Sequence, residues 1–153
     1  MPSRFVKRLN VIYLKQDADD PCWDEVIIAT IAEHHDVRIY DRMRPASEQL
    51  HNIDAVVDPG SAWACRELAA AASGVKLWQT VTVGVDFLDM DTMRRIGVPV
   101  CHCPGSTGAT GLAEAAMMFM LMIVHRYNSA QETLARGQLY RPMGDEVAGK
   151  ILG

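Results

Sequence analysis

The segment Cys101-His102-Cys103 carries residue types that often bind metal ions or take part in redox chemistry. It lies in an apolar run typical of a β-strand, and side chains alternate between the two faces of a strand. The two thiols would therefore point to one face and the imidazole to the other, so the three groups would not converge on one ion. We predict that this segment packs in the core and that the chain binds no metal.

Two carboxylates, Asp86 and Asp89, are candidates for acid–base chemistry because they stand between a predicted strand and a predicted short helix. Aspartate at this position more often forms a turn and caps the first N–H groups of the helix. We therefore predict turn and N-cap roles for both residues. His34 and His35 end another predicted helix, where an imidazole interacts favourably with the helix dipole.

Composition excludes several classes of protein. The 153 residues include 15 basic and 19 acidic side chains, so the net charge is −4, and no basic run marks a nucleic-acid binder. Four cysteines are too few for a disulfide scaffold, which favours a reducing, cytoplasmic setting. Residues 112–124 are apolar apart from Glu114, but a membrane span needs about 20 mostly apolar residues. We expect neither nucleic acid nor membrane as a partner.

Strand and helix patterns alternate along the first two thirds of the chain. Apolar runs predict strands at residues 10–14, 37–40, 53–57, 75–81 and 98–103. Helical spacing predicts helices at residues 21–34, 62–72 and 90–95. This alternation predicts an α/β fold, a parallel sheet with helices on both faces.

One long helix is predicted from Thr110 to Arg136, with Thr110 as its cap and Gly137 as its stop. Residues 117–122 are apolar around the whole circumference, so this helix must be buried on more than one side. A core or dimer seam is favoured over a methionine-lined peptide groove. Residues 149–153 predict a turn leading into a new strand, and we expect the reading frame to continue beyond them.

Three segments of the chain stand out: VGVDFLD at 83–89 with GVPV at 97–100, PG at 104–105 leading to LAE at 112–114, and AGKILG at 148–153. They are similar to the G-V-D-x-I-D loop, the P-G-N…V-A-E segment and the L-x-G-K-T-L-G segment of the D-isomer-specific 2-hydroxyacid dehydrogenases. Through these motifs the chain resembles that family. The interval from Pro104 to Glu114 is one residue longer than usual and contains no asparagine. Residues 58–61 also lack the arginine that phosphoglycerate enzymes often place after the third strand.

The resemblance implies hydride transfer between NAD or NADP and a D-2-hydroxy or 2-oxo acid. It implies a flavodoxin-like substrate domain at residues 1–103, with a crossover, a long interdomain and dimerisation helix and the start of a nucleotide domain at 104–153. It places the substrate carboxylate on the backbone of Val83 and Gly84 and a cofactor contact at Thr110. It also implies a homodimer through the Met-rich helix.

The resemblance assigns no catalytic side chain to this chain. The family's acid–base histidine, its carboxylate partner and its arginine are expected beyond residue 153, and no G-x-G-x-x-G loop for the dinucleotide occurs. We expect the isolated 153 residues to be inactive. One alternative is a non-catalytic α/β binding or dimerisation module. Another is a phosphorylated receiver domain, because Asp17, Asp19 and Asp20 follow the first predicted strand and Asp58 follows the third, although no suitable lysine loop comes later. An in-frame continuation through a dinucleotide loop would favour the dehydrogenase.

Overall fold

The computed structural model describes residues 7–16, 22–60 and 66–152. The chain divides into two compact units, Met1–Pro104 and Gly105–Gly153. Over its described residues, the first unit contains a five-stranded sheet and four helices. The second contains a 3₁₀ turn at Gly105–Thr107 and two helices.

The sheet of the first unit is entirely parallel, as predicted. Its strands are β1 (Asn10–Tyr13), β2 (Asp36–Ile39), β3 (Ala55–Asp58), β4 (Leu77–Thr80) and β5 (Val100–Cys101). Their order in the sheet is β2-β1-β3-β4-β5, so successive crossovers run outward in both directions from the β1–β3 pair. Because such crossovers are right-handed, the two directions place helices on opposite faces of the sheet.

The helices of the first unit are α1 (Cys22–Ala32), α2 (Ala46–Gln49), α3 (Arg66–Ala71) and α4 (Met90–Ile96). The prediction misses α2, because a single turn has no apolar periodicity. The α2 turn is fixed by the Gln49 side chain, which bonds both backbone groups of Asp41 and the carbonyl of Arg44. Residue 21 of the first predicted helix and residues 62–65 of the second lie outside the described residues.

The core of the first unit lies along the central strands. Ile12, Val56 and Trp78 are fully buried, one from each of β1, β3 and β4. Leu68 of α3 and Met93 of α4 pack in the same cluster. Burying these apolar side chains contributes roughly 1.5–3 kcal/mol each. This packing fixes the edge of the sheet at which the loops after β1, β3 and β4 begin.

The predicted single long helix is wrong. The structure contains α5 (Ala109–Val124) and α6 (Tyr127–Ala135), which meet at a bend of 57°. Arg126 adopts a left-handed conformation with φ of 51°, which ends the helical hydrogen bonding. The carbonyl of Val124 accepts instead from the N–H of Asp145 at 2.9 Å. Gly144 packs against the His125 backbone so closely that a Cβ would lie 2.7 Å from the His125 Cα.

The ends of these helices confirm one predicted boundary and correct another. Gly137 follows α6 with φ of +73° and donates its N–H to the Leu134 carbonyl, as a helix stop requires. Gly108, not Thr110, is the N-cap of α5, and Thr110 is the second residue of that helix. Ile151 and Leu152 form no strand and are exposed, so the predicted final strand is absent from the described residues.

The apolar side chains of α5 are exposed rather than buried. No residue of α5 falls in the buried class. Leu112, Met117, Phe119 and Ile123 are each more than half exposed. Within the described residues, no single helix has the length and apolar composition to cross a membrane, and α5 with α6 meets those criteria only as a bent pair.

Candidate functional site

The candidate site lies at the carboxyl edge of the sheet. Strands β1, β3 and β4 are parallel neighbours, so the loops that follow them begin side by side. The crossovers leave β1 and β3 in opposite directions, which makes this pair the topological switch point. In open α/β sheets, ligands bind in the crevice at the carboxyl ends of the strands at such a point.

The loop after β4 presents two adjacent free backbone donors. Val83 and Gly84 are exposed, and their N–H groups donate to no atom of the described residues. The loop is held in place around them: the Thr82 hydroxyl donates to the Gly84 carbonyl at 2.8 Å, and the Cys103 N–H donates to the Thr82 carbonyl at 3.0 Å. Consecutive exposed N–H groups carry partial positive charge without a mobile side chain, which suits a carboxylate.

The loop after β3 presses against this β4 loop. Gly60 has φ of +97°, and a Cβ built on it would lie 2.7 Å from the Cγ2 of Thr82. Only glycine fits a backbone that combines this angle with this close approach. Buried Asp58 holds the turn by accepting the Gly60 N–H at 3.0 Å and the Trp78 indole N–H at 3.2 Å. A carboxylate engaged in this way is not accessible for phosphorylation, which argues against the receiver alternative.

A cleft opens beside these loops, between the ends of β1 and β3. Its volume is about 340 Å³, and the described residues that line it are Tyr13, Gln16, Trp23, Asp24, Ile27, Pro59 and Val81. The Tyr13 hydroxyl donates to the Asp24 carboxylate at 2.5 Å. Burial, together with the neighbouring Asp24 and Asp58 carboxylates, raises the pKa of Tyr13 far above its ordinary value. Tyr13 therefore remains a hydrogen-bond donor.

Comparison with known proteins assigns this architecture to a family. Residues 14–136 match the family model described as D-isomer specific 2-hydroxyacid dehydrogenase, catalytic domain. The chain belongs to this family. The resemblance drawn from the sequence motifs is thus confirmed. A glyoxylate reductase of Thermofilum pendens is 29% identical over 93 residues, which are 57% of this chain and 27% of that protein.

Solved structures of dehydrogenases share the fold. A 2-hydroxyacid dehydrogenase from Ketogulonicigenium vulgare Y25 matches with a TM-score of 0.70 at 22% identity, over 93% of this chain and 45% of that chain. An NAD-dependent formate dehydrogenase from Staphylococcus aureus, in complex with NAD, matches with a TM-score of 0.66 at 21% identity, over 85% of this chain and 43% of that chain. An NADPH-dependent glyoxylate/hydroxypyruvate reductase from Sinorhizobium meliloti matches with a TM-score of 0.73 at 16% identity, over 95% of this chain and 45% of that chain. The chain therefore spans less than half the length of these dehydrogenases.

The two aspartates of the G-V-D-x-I-D-like loop are placed as predicted for a structural role. Asp89 is the N-cap of α4 and accepts from the Thr92 N–H at 3.0 Å and the Thr92 hydroxyl at 2.9 Å. Asp86 is exposed in the turn before it. The carboxylate of Asp86 would lie 3.3 Å from a Cβ on Gly84, so the two residues adjoin.

The prediction that the Cys-His-Cys segment packs in the core is wrong, since Cys101 and His102 are exposed and none of the three residues is fully buried. Strand β5 contains only Val100 and Cys101 and pairs on one side only, with β4. Cys101 is exposed and Cys103 is half-buried, because an edge strand this short is covered incompletely. The His102 ring nitrogen Nδ1 is 3.0 Å from the Cys103 carbonyl oxygen. No group of three side chains suited to a metal occurs among the described residues.

Two features of the site were not predicted from the sequence. From the sequence, Tyr13 was only part of the strand predicted at residues 10–14 and Asp24 only part of the helix predicted at 21–34, yet the fold brings them into one buried hydrogen bond. Gly60 was noted only as one of residues 58–61, which follow the third predicted strand. Thr110, the predicted cofactor contact, lies in the second unit, exposed in the first turn of α5, with no hydrogen bond from its hydroxyl among the described residues.

Proposed function

We propose that this chain supplies the carboxylate-binding part of an NAD(P)-dependent D-2-hydroxyacid dehydrogenase. Such an enzyme is an oxidoreductase that transfers a hydride between a nicotinamide and carbon 2 of a 2-hydroxy or 2-oxo acid. The observation that carries the proposal is the pair of exposed N–H groups on Val83 and Gly84, which have no acceptor among the described residues. Membership of the family supports the reaction class.

In this mechanism the chain binds and orients the substrate. The Val83 and Gly84 N–H groups donate to the substrate carboxylate, and hydrogen bonds between backbone donors and an ionised acceptor are stronger than neutral ones. The Thr82–Gly84 hydrogen bond keeps this loop from reorganising when the substrate arrives. With the carboxylate held, carbon 2 is placed at the carboxyl edge of the sheet. We assign no proton transfer to a side chain of this chain.

The cofactor proposal for this chain is limited to Thr110. Its exposed hydroxyl at the start of α5, with the first N–H groups of that helix, fits a polar or anionic part of a dinucleotide. A dinucleotide held there would supply the hydride chemistry. NAD and NADP remain alternatives, in keeping with the NAD and NADP complexes of the similar structures. Because no G-x-G-x-x-G loop occurs in the sequence, we expect no turnover by the chain itself and at best millimolar NAD affinity.

A homodimer through the Met-rich helix is part of the proposal. The exposed side chains of α5, including Met117, Phe119 and Ile123, form an apolar surface of the kind that oligomer interfaces cover. The same surface favours the second candidate function, a non-catalytic α/β binding or dimerisation module. A small 2-hydroxy or 2-oxo acid as ligand and a cytoplasmic setting remain predictions.

Titration with oxalate, a small dicarboxylate analogue of a 2-oxo acid, tests the proposed function. We expect the amide NMR signals of Val83 and Gly84 to shift and saturate. Gly84→Pro removes one donor and should weaken binding about 10- to 150-fold, the equivalent of a hydrogen bond to a charged group at about 1.5–3 kcal/mol. Gly84→Ala keeps the N–H, and its Cβ meets only the end of the Asp86 side chain, so it should bind nearly normally. Equal binding by both variants, or no shift at this loop, would favour the non-catalytic module.

A further inference from the structure

We infer that the cleft between β1 and β3 receives the side chain of the substrate and selects 2-hydroxy acids whose side chain ends in an ammonium group. The inference rests on the proposed function, because it assumes that the substrate carboxylate lies on the Val83–Gly84 loop. It names the substrate class from residues that belong to this chain.

The decisive feature is a buried carboxylate with spare acceptor capacity. Asp24 is only 7% exposed. Its Oδ1 accepts from the Tyr13 hydroxyl, and no other hydrogen bond or ion pair to Asp24 is found among the described residues. A carboxylate has about four acceptor positions, and buried charges are normally paired. Asp24 lines the cleft, so its free positions are open to a donor that enters there.

The rest of the cleft favours an alkyl chain behind that donor. Trp23, Ile27, Pro59 and Val81 provide apolar walls. The Gln16 amide donates one of its two N–H bonds to the Pro59 carbonyl at 2.7 Å, which holds this side chain against the β3 loop. An alkyl chain with a cationic end would pack against these walls, and Trp23 adds an aromatic ring of the kind that attracts cations. A second carboxylate or a phosphate would face the Asp24 charge and be repelled.

The cleft and the carboxylate-binding loop are close enough for one small molecule. Val81 lines the cleft, and Val83 is two residues further along the chain. Two extended residues span at most about 7 Å. The close packing of Gly60 on Thr82 joins the β3 and β4 loops over the same interval. A substrate whose carboxylate lies on Val83 and Gly84 would therefore direct a short side chain, of two or three carbons, toward the cleft.

Three matched acids test the inference by NMR titration of the whole chain: 4-amino-2-hydroxybutanoate, 2-hydroxypentanoate and 2-hydroxyglutarate. The first two differ by an ammonium in place of a methyl group, and the third carries a second carboxylate. We expect 4-amino-2-hydroxybutanoate to bind about ten-fold more tightly than 2-hydroxypentanoate, because its ammonium group can form a charge-assisted hydrogen bond. We expect 2-hydroxyglutarate to bind most weakly.

Substitutions assign the preference to Asp24. Asp24→Asn still accepts from Tyr13 but removes the charge, so it should reduce the ten-fold preference to about one and leave oxalate binding unchanged. Glu25→Gln is the matched control, since it removes the same charge from the neighbouring exposed position of α1 and should keep the preference. Tyr13→Phe also frees the Oδ1 of Asp24 and should not lower the preference. A preference lost in Asp24→Asn but kept in Tyr13→Phe is therefore not a general effect of disturbing the Tyr13–Asp24 pair.

The outcomes separate the two proposals. Similar affinities for all three acids, with oxalate binding intact, would overturn the inference and leave the proposed function standing. A preference that survives Asp24→Asn would also overturn it. If oxalate fails to bind, the proposed function fails. Titration with butylammonium then tests by itself whether the cleft binds an alkylammonium cation. Loss of butylammonium binding in Asp24→Asn would support a cation site, and no binding by the unaltered chain would refute it.

Discussion

Replacing Gly60 with alanine would test whether the site is built by the close approach of two loops. Gly60 combines two obstacles to a side chain, a φ of +97° and a Cβ position 2.7 Å from the Thr82 Cγ2. The chain offers a matched series. Gly97 has φ of +74° but open space around its Cβ position, and Gly74 has neither obstacle.

The structure sets the size of each effect. Left-handed backbone at a residue with a Cβ costs about 1–2 kcal/mol, and forcing an extra methyl group into a packed site costs about 1–3 kcal/mol. Gly60→Ala should therefore lower the free energy of unfolding by about 2–5 kcal/mol. Gly97→Ala should lower it by about 1–2 kcal/mol. Gly74→Ala should leave it unchanged or raise it by up to about 1 kcal/mol.

Urea unfolding followed by tryptophan fluorescence and circular dichroism measures these differences. The background variant Thr82→Ser lacks the Cγ2 but keeps the hydroxyl that bonds Gly84. In that background, Gly60→Ala should lose its packing cost and fall to the value for Gly97→Ala. Oxalate affinity should fall in Gly60→Ala, because the displaced Thr82 moves Gly84, and recover in the double variant. If Gly60→Ala costs no more than Gly97→Ala, or if Thr82→Ser changes nothing, the two loops are not in contact.

Three further predictions concern other parts of the chain. The double substitution Met117→Glu and Ile123→Glu places two charges on the exposed side of α5 and should convert a dimer to a monomer. Analytical ultracentrifugation measures this change, and unchanged association would exclude this side of α5 as the dimer interface. Arg126→Gly should raise the free energy of unfolding by up to about 1 kcal/mol, because Arg126 holds a left-handed conformation; a decrease in urea unfolding would contradict this. Two hydrogen bonds lower the pKa of Asp54 below its ordinary value of 3.8: the one from the Lys76 ammonium has the larger effect, and the one from the Asn10 N–H adds to it. The stabilisation is therefore present above that value and is lost as the pH falls through the folded pKa. Asp54→Asn should flatten the decline of Tm on acidification, and an unaltered acid profile would argue against the ion pair.

The fold was predictable because its signals are local. Each central strand is a short apolar run, and the alternation of strands with helices requires a parallel sheet. The bend between α5 and α6 was not predictable in this way. Residues 110–136 contain no proline, and the helix ends because the Asp145 N–H takes the Val124 carbonyl from 21 positions away in sequence.

In the candidate site, too, the residues with a local sequence signal could be predicted and those brought together only by the fold could not. Val83 and Gly84 could be proposed from a motif, since their loop follows a predicted strand and resembles a family segment. The Tyr13–Asp24 pair could not, because each residue has an adequate local explanation, one as a strand residue and the other as an acid near a helix start. Cys101 was misplaced because a strand pattern does not reveal that the strand will be two residues long and at an edge.

Buried Asp58 explains how the carboxyl edge tolerates a strained turn. Its carboxylate binds the Trp78 indole on one side and the Gly60 N–H on the other, so the packed centre of the sheet holds the turn directly. The Gln16 amide adds a bond to the Pro59 carbonyl from the loop after β1. Groups from β3, from β4 and from the loop after β1 thus fix the backbone that presses on Thr82, and the Thr82 hydroxyl in turn fixes Gly84. Loss of the Asp58 carboxylate should therefore weaken both the fold and anion binding, because the same hydrogen bonds support the two.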